Sequence, residues 1–291
     1  MKKIEIIIDE FLENRDIKSI LFEHLGLSQR LVTRLKKTDG IRLNGEHQTV
    51  RKRVMSGDVL TIRMNEDKNE NIVANNIPID IVYEDEDILV VNKPKNMPTH
   101  PSHSHYENTL ANALCYRYRN EDFVFRAITR LDRDTTGLVL LAKNQFVANK
   151  LCKQIGDRKI KKEYLAICCG ELPQKEGIVE QGIVRESESV IKRVVSENGQ
   201  YAKTSYSVLE YKNGLSLVRL YPETGRTHQI RVHMSYIGTP LYADFIYGEE
   251  IKGERTRLHC SALEFSHPVT GEKMFLSCPA PDDFDIIKGD F

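Results

Sequence analysis

The segment from Arg130 to Arg133 carries a carboxylate, Asp132, between two arginines, and an apolar stretch begins shortly after it at Leu138. A neighbouring arginine favours the ionised form of a carboxylate, and an ionised carboxylate held in position can act as a nucleophile or a base. The other interpretation is an ordinary loop aspartate whose arginines make surface ion pairs, and composition alone favours that reading. The segment is a candidate catalytic loop only if other chemistry accompanies it.

Two further segments carry an aromatic ring and a concentration of hydrogen-bond donors. Tyr164 follows two lysines in a strand-like stretch, where a tyrosine is usually a core residue but can also stack on a nucleobase. Residues 225–233 begin with a glycine, and Arg226, His228 and Arg231 lie where a helix is predicted to start. Helix N-termini and arginines bind phosphate or carboxylate groups, and residues three apart share a helix face. A helix cap followed by surface basic residues is the alternative here.

Other signatures of catalysis are absent from the sequence. It contains no GxxxxGK[ST], no GxGxxG after a strand, no GxSxG and no HExxH, which argues against ATPases, dinucleotide enzymes, serine esterases and zinc proteases. The six cysteines form no CxxC pair, so we expect reduced thiols in a cytoplasmic protein and no zinc site. A metal-dependent hydrolase using His100, His103 and His105 is the alternative, but no acidic partners stand at a recognisable spacing, and we interpret these histidines as part of a polar loop.

Charge is balanced overall but clustered near the N-terminus. Lys+Arg and Asp+Glu both number 42, so no global field attracts a polyanion. Between positions 30 and 53, however, eight basic residues face only two acidic ones. Within a helix predicted to begin after the N-cap Ser28, Arg30, Arg34 and Lys37 recur at i, i+4 and i+7 and form a stripe on one face. This patch predicts binding of a polyanion.

Hydrophobic patterning predicts an α+β fold with a mixed, mostly antiparallel sheet. Strand signals dominate: 88–91, 138–142, and a hairpin of 205–211 and 215–220 around Asn213-Gly214, with few helices and no regular βαβ alternation. The polar segment 65–80 is typical of a linker, which divides the chain into 1–64 and 81–291. No apolar stretch approaches the roughly 18–20 residues of a spanning helix, and acidic residues interrupt the N-terminus, so we expect neither membrane insertion nor a signal peptide.

The N-terminal segment resembles the small RNA-binding domain named after ribosomal protein S-four. The resemblance covers about fifty residues and depends on the sequence from Leu27 to Arg30, the basic helix, the Asn44-Gly45 turn and the Gly57-Asp58 turn. It implies a small helical and β RNA-binding domain in front of a larger catalytic domain.

The remaining segments, in this order, resemble the RluA/RluD-type pseudouridine synthases. The resemblance depends on five ordered motifs: 82–94, Arg130-Leu131-Asp132 with Thr136-Gly137, Lys162-Glu163-Tyr164, 225–233, and Leu258-His259 with the His267-Pro268 segment. Thr129 stands where the family often has His, and Thr136 stands where Ser is common. Neither is a proposed catalytic position, so these departures bear on substrate details.

The resemblance implies an enzyme that isomerises uridine to pseudouridine in large-subunit ribosomal RNA or transfer RNA, without cofactor or metal. Asp132 would be the catalytic carboxylate, and Arg231 would pair with it. Tyr164 would pack against the target uracil and help to move the C5 proton, and Arg130 would fill the space that the flipped nucleotide leaves. The residues that we expect to contact RNA are Arg130, Thr136, Arg226, His228, Arg30, Arg34 and Lys37. We expect a monomer. A non-catalytic RNA-binding protein is the other reading, but it would have lost Asp132, Tyr164 or Arg231.

Overall fold

The computed structural model describes residues 2–64, 72–102, 105–187 and 190–287, and these residues form two main sheets and a separate hairpin. The N-terminal sheet is antiparallel, with strand order β1-β4-β2-β3. Its elements are β1 (Lys2–Ile7), α1 (Ile17–Ser19), α2 (Gln29–Lys37), β2 (Ile41–Leu43), β3 (Glu46–His47) and β4 (Val59–Met64). Strand β1 has no counterpart among the sequence-based expectations. Between β2 and β3, Asn44 and Gly45 both have positive φ, as the predicted tight turn requires.

Helix α2 begins as its sequence predicts. The Ser28 hydroxyl accepts a hydrogen bond from the backbone N–H of Leu31, and the helix buries Leu31, Val32 and Leu35 against the sheet. At Gly40, a few residues beyond the helix, a Cβ atom would lie 2.8 Å from the backbone carbonyl oxygen of Arg63, so only glycine fits this close approach.

The helix preceding α2 differs from its prediction. The pattern from 18 to 25 predicts one helix, but α1 is only three residues long and continues directly into a π-helix, Ile20–His24. The Leu25 N–H bonds to the Ile20 carbonyl, five residues back, at 2.9 Å. Ile20 and Leu21, at the start of this π-helix, are both fully buried.

The larger sheet has nine strands in the order β5-β6-β7-β14-β8-β13-β12-β9, with β15 also paired to β14. All neighbours are antiparallel except β7 and β14, so the predicted mixed, mostly antiparallel sheet is confirmed. Its strands are β5 (Asp80–Glu84), β6 (Ile88–Lys93), β7 (Thr136–Ala142), β8 (Lys161–Cys169), β9 (Glu176–Glu180), β12 (Lys203–Lys212), β13 (Leu215–Pro222), β14 (Leu258–Ser266) and β15 (Lys273–Ser277). The separate hairpin is β10 (Ile183–Arg185) with β11 (Arg193–Val195), and the helices are α3 (Leu110–Arg117), α4 (Gln145–Gly156), α5 (Gln229–Tyr236) and a final 3₁₀ helix, Asp282–Ile287.

The parallel pairing of β7 and β14 decides where the sheet can place chemistry. All seven residues of β7 are buried. Because β7 and β14 run parallel, the loop before β7 emerges at the same edge of the sheet as the start of β14. At Gly137, where φ is +107°, a Cβ atom would lie 2.3 Å from the Cys260 carbonyl oxygen, so the two strands can approach only because this residue is glycine. Among the described residues, no helix combines the length and apolar character that crossing a membrane requires.

Candidate active site

The three segments singled out in the sequence meet at one cleft of about 840 Å³. Its lining comes from the loop before β7, from strand β8 and from the segment leading into α5. Side chains from each contribute, including Arg130, Asp132, Lys162, Tyr164, Arg226 and Arg231. Residues almost 100 positions apart in the chain thus come together at the edge where β7 and β14 begin.

The carboxylate of Asp132 faces this cleft and is about one third exposed (35%). Nη1 of Arg231 donates a hydrogen bond to its Oδ2 atom at 3.2 Å. Nε2 of His228 lies 3.8 Å from the same oxygen, which is too long for a hydrogen bond. The pairing of Asp132 with Arg231 that the resemblance implied is present, and the carboxylate remains accessible to a ligand.

Arg231 is held in place by Asp244, a residue that the sequence analysis did not single out. Its Nε and Nη2 atoms donate to the two carboxylate oxygens of Asp244, both at 2.7 Å, in a bidentate pair. The Asp244 side chain is fully buried and also accepts from the backbone N–H groups of Ile246 and Tyr247. Burial alone would lower the pKa of Arg231, but the hydrogen bonds and charge of Asp244, with those of Asp132, outweigh it and raise the pKa above its ordinary value. The guanidinium is therefore a fixed, permanent positive charge.

The backbone on both sides of Asp132 is fixed by buried side chains from other segments. The Thr99 hydroxyl donates to the Leu131 carbonyl at 2.9 Å and accepts from the Leu131 N–H at 3.2 Å. The ammonium of Lys93, whose side chain is fully buried, donates to the carbonyl of Arg133 at 3.1 Å. It also donates to two carbonyls of its own turn, those of residues 94 and 97, at 3.0 and 2.7 Å. The backbone on both sides of Asp132 is thus held in place.

Burial lowers the pKa of Lys93 to about 7, although the negative charges of Asp132 and Asp134 oppose that shift. Asp134 lies further along the loop that presents Asp132, and its backbone carbonyl accepts a hydrogen bond from Arg255 at 3.0 Å. Arg255 is itself paired with the carboxylate of Asp283 at 2.7 and 2.8 Å. The loop that presents Asp132 is therefore supported by Lys93 of β6 and by Arg255, which precedes β14. The sequence of the loop itself indicates neither contact.

Tyr164 lies on β8 directly opposite Cys260 of β14 and Leu220 of β13. Its side chain is largely buried, as a core residue would be, and it also lines the cleft, where contact with a nucleobase stays a prediction. Burial, with the charges of Cys260 and Asp132, raises the pKa of Tyr164 well above its ordinary value, so the phenol is neutral at physiological pH. Lys162, two residues earlier, also lines the cleft, and burial lowers its pKa.

His228 occupies the position just before α5 in the left-handed backbone conformation, with φ of +57°. Its Nδ1 atom lies 2.8 Å from the hydroxyl of Tyr247, and the ring is edge-on to that tyrosine. Burial lowers the pKa of His228, with Asp132 opposing the shift, so the ring is neutral at physiological pH. His228 therefore contributes a hydrogen-bonding surface beside Asp132 rather than a charge.

Three arginines surround the mouth of the cleft. Arg130 is exposed, and Arg226 donates from Nε to the Tyr201 carbonyl at 3.0 Å. Arg158, which follows α4 with φ of +56°, is a third cleft residue that the sequence analysis did not single out. In the sequence, Arg158 is one basic residue with no motif around it, and such residues are common on any protein surface.

The prediction that Thr136 contacts RNA is corrected by its position. Thr136 is buried at the start of β7, and its hydroxyl lies 2.9 Å from Nδ1 of His259. It does not line the cleft, whereas the preceding residue, Thr135, does. Successive residues of an extended segment face opposite sides, so Thr136 points into the protein and Thr135 points toward the cleft.

The basic stripe of Arg30, Arg34 and Lys37 lies on α2, outside the cleft. Arg30 and Lys37 are exposed and Arg34 is half-buried. Of the two acidic residues opposing this patch, Asp39 is already paired, with Arg42 and with His47. The stripe therefore forms a second positively charged surface, distinct from the mouth of the cleft.

The histidines of the metal-hydrolase alternative have other contacts. His100 packs edge-on against Phe125, with ring centroids 5.0 Å apart, and His105 Nδ1 lies 3.2 Å from Asn108 Oδ1. His103 lies outside the described residues. Within the described part of the chain, no three His, Cys, Asp or Glu side chains are grouped so as to hold a metal ion.

Comparison with known proteins agrees with this geometry. A family model described as RNA pseudouridylate synthase matches residues 87–236. The chain is 40% identical over 274 residues to the uncharacterized RNA pseudouridine synthase YjbO of Bacillus subtilis, covering 91% of this chain and 96% of that protein. It is also 40% identical over 272 residues to ribosomal large subunit pseudouridine synthase D of Vibrio parahaemolyticus, covering 86% of this chain and 83% of that protein.

The solved structure of human RNA pseudouridylate synthase domain containing 1 superimposes with a TM-score of 0.62 at 30% identity, over 72% of this chain and 86% of that one. The residues that the family model matches include the Asp132 loop, Tyr164 and Arg231. The chain therefore belongs to the RNA pseudouridine synthase family, whose members are isomerases that convert uridine in RNA to pseudouridine.

Proposed function

We propose that this enzyme isomerises specific uridines of structured RNA with Asp132 as its catalytic carboxylate and without a cofactor. The observation that carries the proposal is the accessible Asp132 carboxylate, held by Arg231 and facing a cleft large enough for a nucleotide. The reaction breaks the bond between uracil N1 and C1′, turns the base and joins C5 to C1′. It has no net redox change and consumes no water, so one ionised, positioned carboxylate near C1′ and C6 meets its main demand.

The other cleft residues take roles that follow from their environments. Arg231 fixes the orientation of Asp132, because Asp244 leaves its guanidinium no freedom to turn. Tyr164 packs against the uracil, and its neutral hydroxyl suits relaying the C5 proton rather than acting as a standing base. Arg130 enters the stack that the target nucleotide leaves, which offsets part of the few kcal/mol that flipping a base costs.

We propose large-subunit ribosomal RNA as the first substrate to test, because one relative at 40% identity is named for it. Transfer RNA is the other substrate class that the sequence resemblance implied. Residues 1–64 would act as an S-four-like RNA-binding domain through Arg30, Arg34 and Lys37, joined by the predicted linker 65–80 to the catalytic domain 81–291. Strand β5 begins at Asp80, so the catalytic sheet starts one residue earlier than this division. The separate N-terminal sheet and the exposed stripe on α2 support this division. The enzyme would act in the cytoplasm as a monomer.

The decisive experiment maps pseudouridine in total RNA from cells that lack the gene and from the same cells complemented with wild type or Asp132→Asn. We expect specific sites to disappear on deletion and to return only with the wild type, because the amide cannot replace an ionised carboxylate. A loss of at least about 10²–10⁴ in rate is expected for the purified variant. If no site changes, or if Asp132→Asn restores every site, the protein is an RNA-binding factor on an enzyme's fold.

A further inference from the structure

The loop that leads into α2 is hydrogen-bonded to α4, more than 120 residues further along the chain. Oδ1 of Asn149 accepts from the backbone N–H of Ser28 at 2.9 Å, and its Nδ2 donates to the Gly26 carbonyl at 2.9 Å. One amide side chain thus brackets Leu27, which is buried. Lys153, one turn later on α4, lies with its ammonium 3.9 Å from where a Cβ atom on Gly26 would be. We name this contact, formed by Asn149 with Gly26 and Ser28, the Asn149 clasp.

Ser28 connects the clasp to the basic stripe. Its hydroxyl accepts from the Leu31 N–H, so the residue that Asn149 holds by its backbone is also the one that begins α2. Because α2 is a single rigid element of nine residues, fixing its first turn also fixes the direction in which Arg30, Arg34 and Lys37 project. The clasp therefore constrains the charged surface and not only the loop before it.

Helix α4 also reaches the cleft. Ile155 and Gly156 at its end, and Arg158 just after it, line the cleft wall. Asn149 precedes Ile155 by six residues, a separation of about 9 Å along the helix axis. Less than two turns of one helix thus join the clasp to residues that line the cleft.

We propose that Asn149 is a positioning residue that holds the basic stripe at a fixed distance and direction from Asp132, and so helps to select the target uridine. The selected uridine is the one whose adjoining RNA stem reaches the stripe while the base occupies the cleft. This inference rests on the proposed function, since it needs Asp132 to act and α2 to bind RNA. A freely tethered RNA-binding domain would raise the effective concentration of every uridine of the bound RNA at the cleft. A docked domain favours only an RNA that reaches both the stripe and the cleft at once.

The test compares Asn149→Ala with Cys152→Ala, an exposed position on the same helix, in the full-length enzyme. Two probes are used: an unmodified transcript of large-subunit ribosomal RNA, and a short stem-loop of it that contains the modified uridine without the adjoining stem. For Asn149→Ala we expect KM on the long transcript to rise about fivefold, or roughly 1 kcal/mol, with kcat unchanged. Neither constant should change on the stem-loop, and Cys152→Ala should match wild type on both. An equal change on the two RNAs, or no change on either, overturns the proposal.

A combined variant separates this proposal from the function on which it rests. Replacing the three stripe residues with alanine should weaken binding of the long transcript, and adding Asn149→Ala to that variant should cause no further loss. If the stripe variant binds as wild type does, the RNA-binding role of α2 fails and the inference falls with it. If the stripe variant binds weakly while Asn149→Ala does not, or if the two losses multiply, only the clasp fails.

Two further measurements report the clasp directly. Hydrogen exchange at the Ser28 amide needs no RNA, and it should quicken in Asn149→Ala because its acceptor is removed. Asn149→Asp keeps that acceptor but loses the donor to Gly26, so its KM on the long transcript should lie between those of wild type and Asn149→Ala. Unchanged exchange at Ser28 in Asn149→Ala would contradict the geometry of the clasp.

Discussion

The cleft and helix α2 both use basic residues, but in opposite surroundings. In and beneath the cleft, Arg231 and Lys93 are buried and each makes three directed hydrogen bonds. On α2, Arg30 and Lys37 extend into solvent. The first pair holds a carboxylate and its loop in one geometry, whereas the second pair has the freedom to follow an irregular RNA backbone, which is the role proposed for α2.

This difference determines how each region should respond to substitution. Removing a partner of a buried charge leaves the other charge without water or counter-charge, which costs several kcal/mol. Removing an exposed cation costs little folding free energy, and it weakens polyanion binding in proportion to the phosphates no longer neutralised. Stability and kcat should therefore report on the cleft, and KM and salt dependence on α2.

Asp244→Ala should have the largest effect on folding, because it leaves the Arg231 guanidinium buried and without its bidentate partner. We expect the free energy of unfolding to fall by about 3–5 kcal/mol in urea titrations, together with a drop in kcat. Asp282→Ala, at a position outside the cleft that is not buried, serves as the control and should change neither quantity. A small loss of stability for Asp244→Ala would remove the distinction between the two regions.

Lys93→Met should lower kcat much more than it changes KM, since the Arg133 carbonyl loses its donor and the Asp132 loop can shift. A displacement of about 1 Å is sufficient to cost on the order of 100-fold. The exposed Lys95, replaced in the same way, is the matched control. Steady-state kinetics of the two variants would contradict the positioning role if KM rose while kcat stayed constant.

The pH dependence of kcat sharpens this test. Three carbonyl acceptors need the three N–H donors of an ammonium, and burial lowers the pKa of Lys93 to about 7. Below that pH the lysine is protonated and all three bonds form; above it a neutral amine can donate only two. We expect kcat of the wild type to decline as pH rises through about 7, and Lys93→Met to lack that step.

The triple variant Arg30→Ala, Arg34→Ala, Lys37→Ala should leave stability and kcat nearly unchanged and weaken RNA binding. The slope of log K against log salt should flatten by roughly 0.7–0.9 for each phosphate that the variant no longer neutralises. Binding measured at several salt concentrations gives this slope. The same slope as wild type would show that the stripe does not touch RNA.

Arg130→Ala should have the smallest effect, about threefold, because Arg130 is exposed at the mouth of the cleft and in its proposed role would offset only part of the flipping cost. We expect a higher KM for structured RNA and little change for an unstructured RNA that carries the same uridine. Equal changes in KM for the two RNAs would exclude a role in nucleotide flipping.

Helices and hairpins could be predicted from the sequence where short-range hydrogen bonds and hydrophobic periodicity define them. Helix α2 begins at its Ser28 cap as predicted, and the Asn213-Gly214 hairpin closes β12 and β13 with both turn residues at positive φ. The π-helix at Ile20–His24, strand β1 and helices α3 and α4 were missed. One turn of a π-helix and one turn of an α-helix can carry nearly the same apolar pattern, so packing decides which of them forms.

The amino-acid sequence by itself determined the three segments that line the cleft and the family to which the chain belongs, because each segment keeps its residue types at fixed short spacing. Tertiary structure alone decided which side chains hold those segments. Asp244 contacts Arg231 from 13 positions away, and Lys93 contacts Arg133 from 40 positions away. Asn149 contacts Ser28 from 121 positions away. No periodicity encodes such distances, since they depend on the sheet order that brings β6, β7 and β14 side by side and on α4 packing next to the N-terminal segment.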